Sequence, residues 1–545
     1  MSQPVLLTDE QIRQFIVNGY LVFEPTVPEG THEACYSKLN EIIDTEANPG
    51  NNILPRVPEM RHILNSPEVH GALLSVLGPG YLEHPHRYCH PLKPIEEVPS
   101  AAEAEERLQN NCHQDGYTPM GHPRQHYLRY ARIMYYPQDS PVELGPTHVI
   151  PGTQYNRGLT KEDRANTLPV AGRAGTVSLT HFDVGHAAGV SLLPRHRHMI
   201  KFIYMRSTEP REPTWDCRVA GWEKPQDITA PHNLELTWSH QWDWLCGKRD
   251  RYASWKEGQA GAATDADTDA LIAESNDGPD LARRLEAIRR LAALGEKAAP
   301  AIPALVEKLG ADHQAIRAET TYALGCIGEK AIEPVAKALR QAGARADEHD
   351  APPAWNEGAT NMEDAAQALA AIGTPAVDAL IDLLASSSEW TRINAAFALG
   401  EMDSHAAKAL PALTRALEDP SHRVVRTAID SLGNIASTDP QAAPIEALGR
   451  MLEADHPDWH DVASRSWVPR DQVRTNAATV CARLGPAAAA LEAHLCKALD
   501  DPCGHVGSFA LNALQRLGTP EAMRASMDYL WSQRWDASID GGRQF

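Results

Sequence analysis

No apolar run of about 18 residues or more occurs in the 545-residue chain, so no transmembrane helix is expected. The first 25 residues carry Asp9, Glu10, Arg13 and Glu24 and no apolar stretch behind positive charge, so no signal peptide is expected either. Cysteine is sparse. There are nine, an odd number, widely scattered and with no CxxC pair. That argues against a disulfide framework and a structural zinc, and it suits a reducing cytoplasm. A GxxxxGK phosphate loop is absent. Positive charge is short as well, with 51 Lys and Arg against 72 Asp and Glu, a net charge of -21. An acidic surface repels phosphate backbones, which argues against nucleic acid and anionic membranes as partners. With 43% apolar and 23% charged residues the chain has ordinary globular composition, and its length allows several domains.

Two halves differ in texture. Residues 275–530 are rich in Ala and Leu at helical spacing, and a block reading apolar-Ala-Leu-Gly-x-apolar-Gly recurs there. Its end positions are Gly295, Gly328, Gly373, Asp403, Ala436, Gly485 and Gly518, so the steps are 33, 45, 30, 33, 49 and 33 residues. That period predicts about seven helical hairpins that bury their apolar stripes by stacking. The two long steps predict insertions at about 344–359 and 455–470, which carry Trp355, Trp459 and Trp467 as candidate interface anchors. Residues 251–274 are expected to be a linker and 531–545 a tail. Just before the linker, Trp215, Trp222, Trp238, Trp242, Trp244 and Trp255 crowd together, and they are expected to pack on one domain or the other.

Residues 1–250 read as short strands between Gly and Pro turns, after an amphipathic helix capped by Thr8 and Gln11. The strand-like runs are Gly19–Phe23, Tyr127–Tyr136, Thr147–Ile150, Gly175–Leu179 and His198–Met205, which predict an antiparallel barrel or jelly roll. Three H-x-D triplets occur: His113-Gln114-Asp115, His181-Phe182-Asp183 and His456-Pro457-Asp458. Residues i and i+2 of a strand share a side, so a His and a carboxylate at that spacing can share a metal. His113 and Asp115 follow a polar turn at Gln109–Asn111, and His186 stands across several strands as a third ligand. Arg197 heads an apolar strand eleven residues later, and its rigid fork suits a carboxylate. His181 and Asp183 read as polar neighbours of the site. His456 and Asp458 read as part of a solvated loop.

These features resemble the phytanoyl-CoA dioxygenase family of Fe(II)/2-oxoglutarate oxygenases over about residues 7–206, followed by a HEAT-like repeat array. The resemblance rests on Gly19-Tyr20-Leu21-Val22, Cys112-His113-Gln114-Asp115, Gly145-Pro146-Thr147, Pro151-Gly152-Thr153, Gly175-Thr176-Val177, and His186 with Arg197. It implies a multidomain chain: an N-terminal double-stranded β-helix of the α+β class and a C-terminal all-α solenoid. It implies that His113, Asp115 and His186 hold Fe(II). Arg197, with Arg195 as an alternative two residues away, would take the distal carboxylate of 2-oxoglutarate, and Lys93, at a position where many members carry a lysine, would be a second cosubstrate-binding residue. O2 would be the oxidant, and a small-molecule or carrier-bound substrate would be hydroxylated. The chain departs from the family at Ala187-Ala188, Ser191 and Thr153-Gln154, none of which is a ligand position. HEAT arrays mostly bind proteins, so a protein partner on the array is an expectation too. The alternative is a HEAT scaffold whose first domain is catalytically silent. Consumption of 2-oxoglutarate separates the two.

Overall fold

A computed structural model describes residues 3–46, 48–116, 126–259, 267–348, 360–461 and 468–532. The first helix, α1 (Asp9–Asn18), starts in a capping box between Thr8 and Gln11. Gly19, at φ +81°, ends it and turns the chain into β1 (Tyr20–Phe23). Helices α2 (Thr31–Thr45) and α3 (Pro67–Leu77) follow, then β2 (Leu82–Leu92) and α4 (Ala101–Asn111). Gln109 to Asn111, expected as a turn, form the last turn of α4, whose one buried residue is Leu108. The remaining strands are β3 (Tyr130–Tyr135), β4 (Thr147–Ile150), β5 (Leu168–Pro169), β6 (Val177–His181), β7 (Gly185–Ala188) and β8 (Arg197–Met205).

Two antiparallel sheets result. One has the order β1-β6-β3-β8-β2 and the other β5-β4-β7. Met134 of β3, Val149 of β4 and Met199 of β8 pack in one apolar cluster, so the two sheets face each other across it. This is the jelly-roll architecture that the strand runs predict. Strands β3, β6 and β8 are buried along their whole length.

Among the described residues, the second half forms helices and no strand. After α5 (Glu235–Leu245) come the first helices of seven hairpins: α6 (Leu281–Ala293), α7 (Gln314–Ile327), α8 (Asp364–Ile372), α9 (Glu389–Glu401), α10 (His422–Ala436), α11 (Pro469–Leu484) and α12 (Gly504–Leu517). Each stacks on the next. The repeated Gly explains how closely they do so. A Cβ on Gly400 would lie 2.5 Å from Ser431 Oγ, and one on Gly433 would lie 2.7 Å from a Val480 methyl. At six of the seven end positions the residue has positive φ, with Asp403 the non-glycine among them at +47°, while Ala436 stays within its helix. The Asp403 carboxylate is held by Arg251 and lies 3.1 Å from His405 Nδ1. The last helix is α13 (Pro520–Ser532). Among the described residues no single helix is long and apolar enough to cross a membrane.

Helix α5 is buried from Leu236 to Leu245 and packs against both α1 and α7, so its indoles are shared by the two halves. Trp255 is buried in a short helix, Ala253–Gly258, and a further helix, Thr268–Asp277, follows it. Both fall partly or wholly inside the stretch expected as linker; residues 260–266 lie outside the described residues. Trp355, Trp467 and most of the expected tail also lie outside them. Trp459 is buried, with its indole N–H donated to Pro420 O at 3.2 Å, so it is a packing residue and not the exposed anchor expected.

The sheet domain sits against the first helices of the array. Tyr322 of α7 hydrogen-bonds His126, and Glu319 of α7 accepts from Thr237. Deeper in, Arg129, just before β3, meets Glu209 at 2.7 Å and also Glu401 at the end of α9. Arg483 of α11 reaches Glu209 at 3.7 Å and Asp430 of α10 at 3.8 Å. Arg206, beside Glu209, completes a fully buried group of three arginines and three acids. At the far end, Asn512 and Arg516 of α12 donate to the carbonyls of Glu83 and Gly80, at the start of β2.

Candidate metal centre

His113 and His186 are directly opposed across an isolated antiparallel bridge, each donating its backbone N–H to the other's carbonyl at 2.9 Å. A hydrogen-bonded pair of this kind puts both side chains on one side, and the two rings lie 4.4 Å apart. Asp115 is two residues beyond His113 and 5% exposed. Its Oδ1 lies 3.7 Å from His113 Nε2, and its Oδ2 lies 3.6 Å from His186 Nε2. One ligand atom from each of the three residues lies within 4.8 Å of the others. Gln114, between the two ligands, points the opposite way and donates to the carbonyls of Thr153, Asn156 and Asp183, which fixes the turn.

The tautomers follow from the partners. His113 Nδ1 lies 2.7 Å from Asn111 O, and His186 Nδ1 lies 3.2 Å from Val184 O. A carbonyl only accepts, so each Nδ1 carries the proton and each Nε2 lone pair is turned toward Asp115. Burial, with Arg132 adding to it, holds His186 well below the usual imidazole range. Burial would raise the Asp115 carboxyl, but Lys201, His186 and Arg132 outweigh it and hold it well below the usual range. Two neutral imidazoles and one carboxylate are the donor set that a non-haem Fe(II) site takes, and these residues fit it. His113 is the exposed member, with about half of its side chain open.

Two buried cations stand at the same place, and the sequence reading had not singled out either. Arg132 of β3 donates from Nη1 to Asp115 Oδ2 at 2.5 Å and lies 3.2 Å from His186 Nε2. Its Nε donates to Thr180 Oγ1, and its Nη2 donates to the carbonyls of His181 and Val184. Lys201 of β8 donates to Asp115 Oδ2 at 3.2 Å. The signal for both was available: each is a charge on a strand whose neighbours are apolar.

Arg197, at the start of β8, is 1% exposed. Nε donates to Gly145 O and Nη1 to His90 O, both at 3.0 Å, while Nη2 is buried and has no hydrogen-bond partner. Gly145 takes φ +66° to present its carbonyl, and a Cβ there would lie 2.7 Å from Ser191 N. Arg195 is exposed, and Lys93 is exposed one residue past the end of β2. His181 is buried beside the site, its Nδ1 accepting from Asp183 N–H, and does not join the cluster. His456 likewise accepts from the backbone of Asp458 in the array.

A family model described as HEAT repeats matches residues 377–466, and one described as PBS lyase HEAT-like repeat matches residues 363–386. The helical half therefore carries HEAT repeats. No curated protein matches the sequence. Among solved structures, the first half is similar to the non-heme alpha ketoglutarate dependent carbocyclase SnoK from nogalamycin biosynthesis. Identity is 19%, over 38% of this chain and 88% of that one, with a TM-score of 0.29. It is also similar to HygX from Streptomyces hygroscopicus with nickel and 2-oxoglutarate bound (17%, 37% and 87%, TM-score 0.28). A third is EctD from S. alaskensis with 2-oxoglutarate and 5-hydroxyectoine (16%, 43% and 86%, TM-score 0.29).

Proposed function

We propose that the protein is an Fe(II)- and 2-oxoglutarate-dependent oxygenase that hydroxylates an unactivated C–H bond of a small organic or carrier-bound substrate. The observation that carries this is the donor set: two imidazole Nε2 lone pairs, each fixed by a carbonyl on Nδ1, facing one buried carboxylate. Bound there, iron with 2-oxoglutarate and O2 supplies the oxidising equivalent for C–H cleavage.

The rest is the work of this chain's residues. His113, Asp115 and His186 hold the metal. Arg132, itself fixed by β6, positions the Asp115 carboxylate. Arg197 has two nitrogens tied to carbonyls and a third without a partner, so it takes the distal carboxylate of 2-oxoglutarate. Burial around Asp115 and His186 excludes water, and the exposed ring of His113 marks the side on which substrate enters. The HEAT array braces the sheet domain on its first-helix face, so an external protein partner would meet its second helices. All nine cysteines are free thiols, in keeping with work in a reducing compartment.

One observation favours the silent-domain reading: Arg132 Nη1 lies against both Asp115 and His186 Nε2, close to where the metal would bind. The test is direct. Protein incubated anaerobically with Fe(II), desalted, and assayed with 2-oxoglutarate and O2 is expected to retain about one iron per chain and to release succinate. Neither iron nor succinate under any condition would leave the scaffold reading standing.

A further inference from the structure

Where the two halves meet, they leave a cavity of about 300 Å³ between them. Its walls are Pro151 and Thr153 from the turn after β4, Ala230 and Leu234 from the stretch before α5, and His313 and Ala315 from the start of α7. Arg157 N–H donates to Gln314 Oε1 at 3.0 Å, which ties the sheet domain to the repeat array along this wall. Gly152, at φ +78°, brings the turn close to the extension: a Cβ there would lie 2.8 Å from Ala230 Cβ. The volume is at the lower end of the range for small-molecule pockets, roughly 300–1,000 Å³. The cavity is separate from the metal centre, since His113, Asp115 and His186 do not line it.

The lining decides what fits. Thr153, Leu234 and Ala315 are buried, and most of the wall is apolar. Burial, with His232 adding to it, holds His313 below the usual imidazole range against the pull of Glu162 and Asp163, so its ring is neutral at pH 7. The edge of His232 packs on that ring, 4.8 Å between centres. His313 Nδ1 accepts from Ala315 N–H at 3.2 Å. The proton is therefore on Nε2, which donates to nothing among the described residues. A free N–H calls for an acceptor, and an ammonium offers none. A carboxylate offers one, but Glu162, Asp163 and Asp312 line the same cavity against a single lining cation, Lys161. Arg284 acts on His313 without lining it. What suits the cavity is an uncharged, mainly apolar molecule that carries a hydrogen-bond acceptor.

The cavity wall is also the back of the metal centre. Thr153 and Asn156 both line it, and their carbonyls accept from Gln114 Nε2 at 3.0 and 3.2 Å. Gln114 stands between His113 and Asp115. Thr153 Oγ1 accepts from Gly185 N–H at 2.8 Å, and Gly185 precedes His186. One threonine therefore holds both segments that carry the cluster.

We propose that this cavity is an effector site: it takes a small uncharged apolar molecule with a hydrogen-bond acceptor, and its occupant steadies both segments of the metal centre through Thr153. The inference goes beyond the oxygenase reading and does not depend on it, because both parts can be measured without metal.

Benzamide, benzoate and benzylamine share a ring and differ in charge and acceptor. Each is titrated calorimetrically into the full-length protein, and amide hydrogen exchange is followed with and without benzamide. Benzamide is expected to bind with a dissociation constant of roughly a millimolar or tighter. It should bind about tenfold or more tighter than the acid or the amine, a comparison that needs no variant to fold. Exchange at Gly185 and His186 should slow about threefold or more when it is bound. Ala315→Phe, which fills the cavity, should weaken benzamide about tenfold or more and remove the slowing. No binding, preference for the acid or the amine, binding that Ala315→Phe leaves intact, or binding without slower exchange at Gly185 and His186 would each overturn the proposal. No arm contains metal, so a failure to bind iron beside the expected results would count against the oxygenase reading alone.

Discussion

Two groups of buried charge meet β3, one just before its first residue and one at its middle, and they are built on different rules. Around Arg129, three arginines face Glu209, Glu401 and Asp430, each side chain within a few per cent of full burial. Around Arg132, within the strand itself, two cations, Arg132 and Lys201, share Asp115, and the buried Arg197 stands four residues before Lys201 on β8. The first group is closed: partners come from both halves of the chain and the charges cancel. The second is open, with two imidazole lone pairs facing one carboxylate and, at Arg197, a buried guanidinium nitrogen without a hydrogen-bond partner. Charge that balances itself specifies how two surfaces dock.

The largest effect should come from the open group. His113→Ala, Asp115→Ala and His186→Ala are each expected to lower succinate release about a thousandfold or more and to lose iron, read by metal analysis of the desalted protein. His181→Ala, outside the cluster, should keep its iron. If it lost iron while His113→Ala retained it, the open group would have been assigned to the wrong triplet.

The closed group should respond in stability and not in metal. Arg129→Ala leaves Glu209 and Glu401 buried without their main cation, a change that costs about 3–5 kcal/mol. Chemical unfolding should show that loss, while the folded fraction binds iron as before. An Arg129→Ala protein of unchanged stability would erase the distinction between the groups.

Arg197→Ala tests the open group without touching a metal ligand. It removes a charge-assisted pair of about 1.5–3 kcal/mol, so the KM for 2-oxoglutarate should rise tenfold or more with iron still bound. Lys93→Ala, at an exposed position, should stay within about twofold. Equal effects would restore the role that family resemblance implies for Lys93.

The smallest effect is a pH slope. Burial pushes Glu401 up to about 7, with Glu209 adding to it and Arg129 opposing it. Its folded value is above its unfolded one. Its contribution to stability is therefore full below about pH 4.5 and is lost as pH rises toward 7. Glu401→Gln, neutral at every pH, should flatten the fall in Tm across that window by about 1–3 °C. An unchanged slope would show that Glu401 stays ionised in its arginine cage.

Much of this was legible because local pattern and tertiary need coincide. The capping box at Thr8, β4 and the seven first helices lie where the sequence puts them. His113, Asp115 and His186 were legible because one H-x-D triplet lies between polar and strand-like segments. Strand β2 was not, because its sequence Leu-Glu-His-Pro-His-Arg-Tyr-Cys-His-Pro-Leu has two prolines and no clean alternation. What makes it a strand is β8, its antiparallel partner more than a hundred residues later. The docking of the halves was equally hidden. Arg129, Glu401 and Arg483 read singly as surface charges on helices and strand ends, and nothing periodic links them. Trp459 shows the converse: an indole in an insertion reads as exposed, yet Pro420 of the neighbouring repeat buries it.

The grip of α12 on the start of β2 has a consequence for synthesis. Strand β2 is the edge of the larger sheet, and Asn512 and Arg516 hold its first residues while Phe509 packs edge-on against His84. The ribosome delivers β8, and with it a complete set of strands, about 300 residues before it delivers α12. At roughly 5–20 residues per second, that edge is bare for on the order of 15–60 seconds. Bare strand edges invite pairing with other chains. The nascent protein is therefore most vulnerable after its sheet domain has been made and before its last repeat arrives, and a chaperone that shields the β2 edge would matter in that interval.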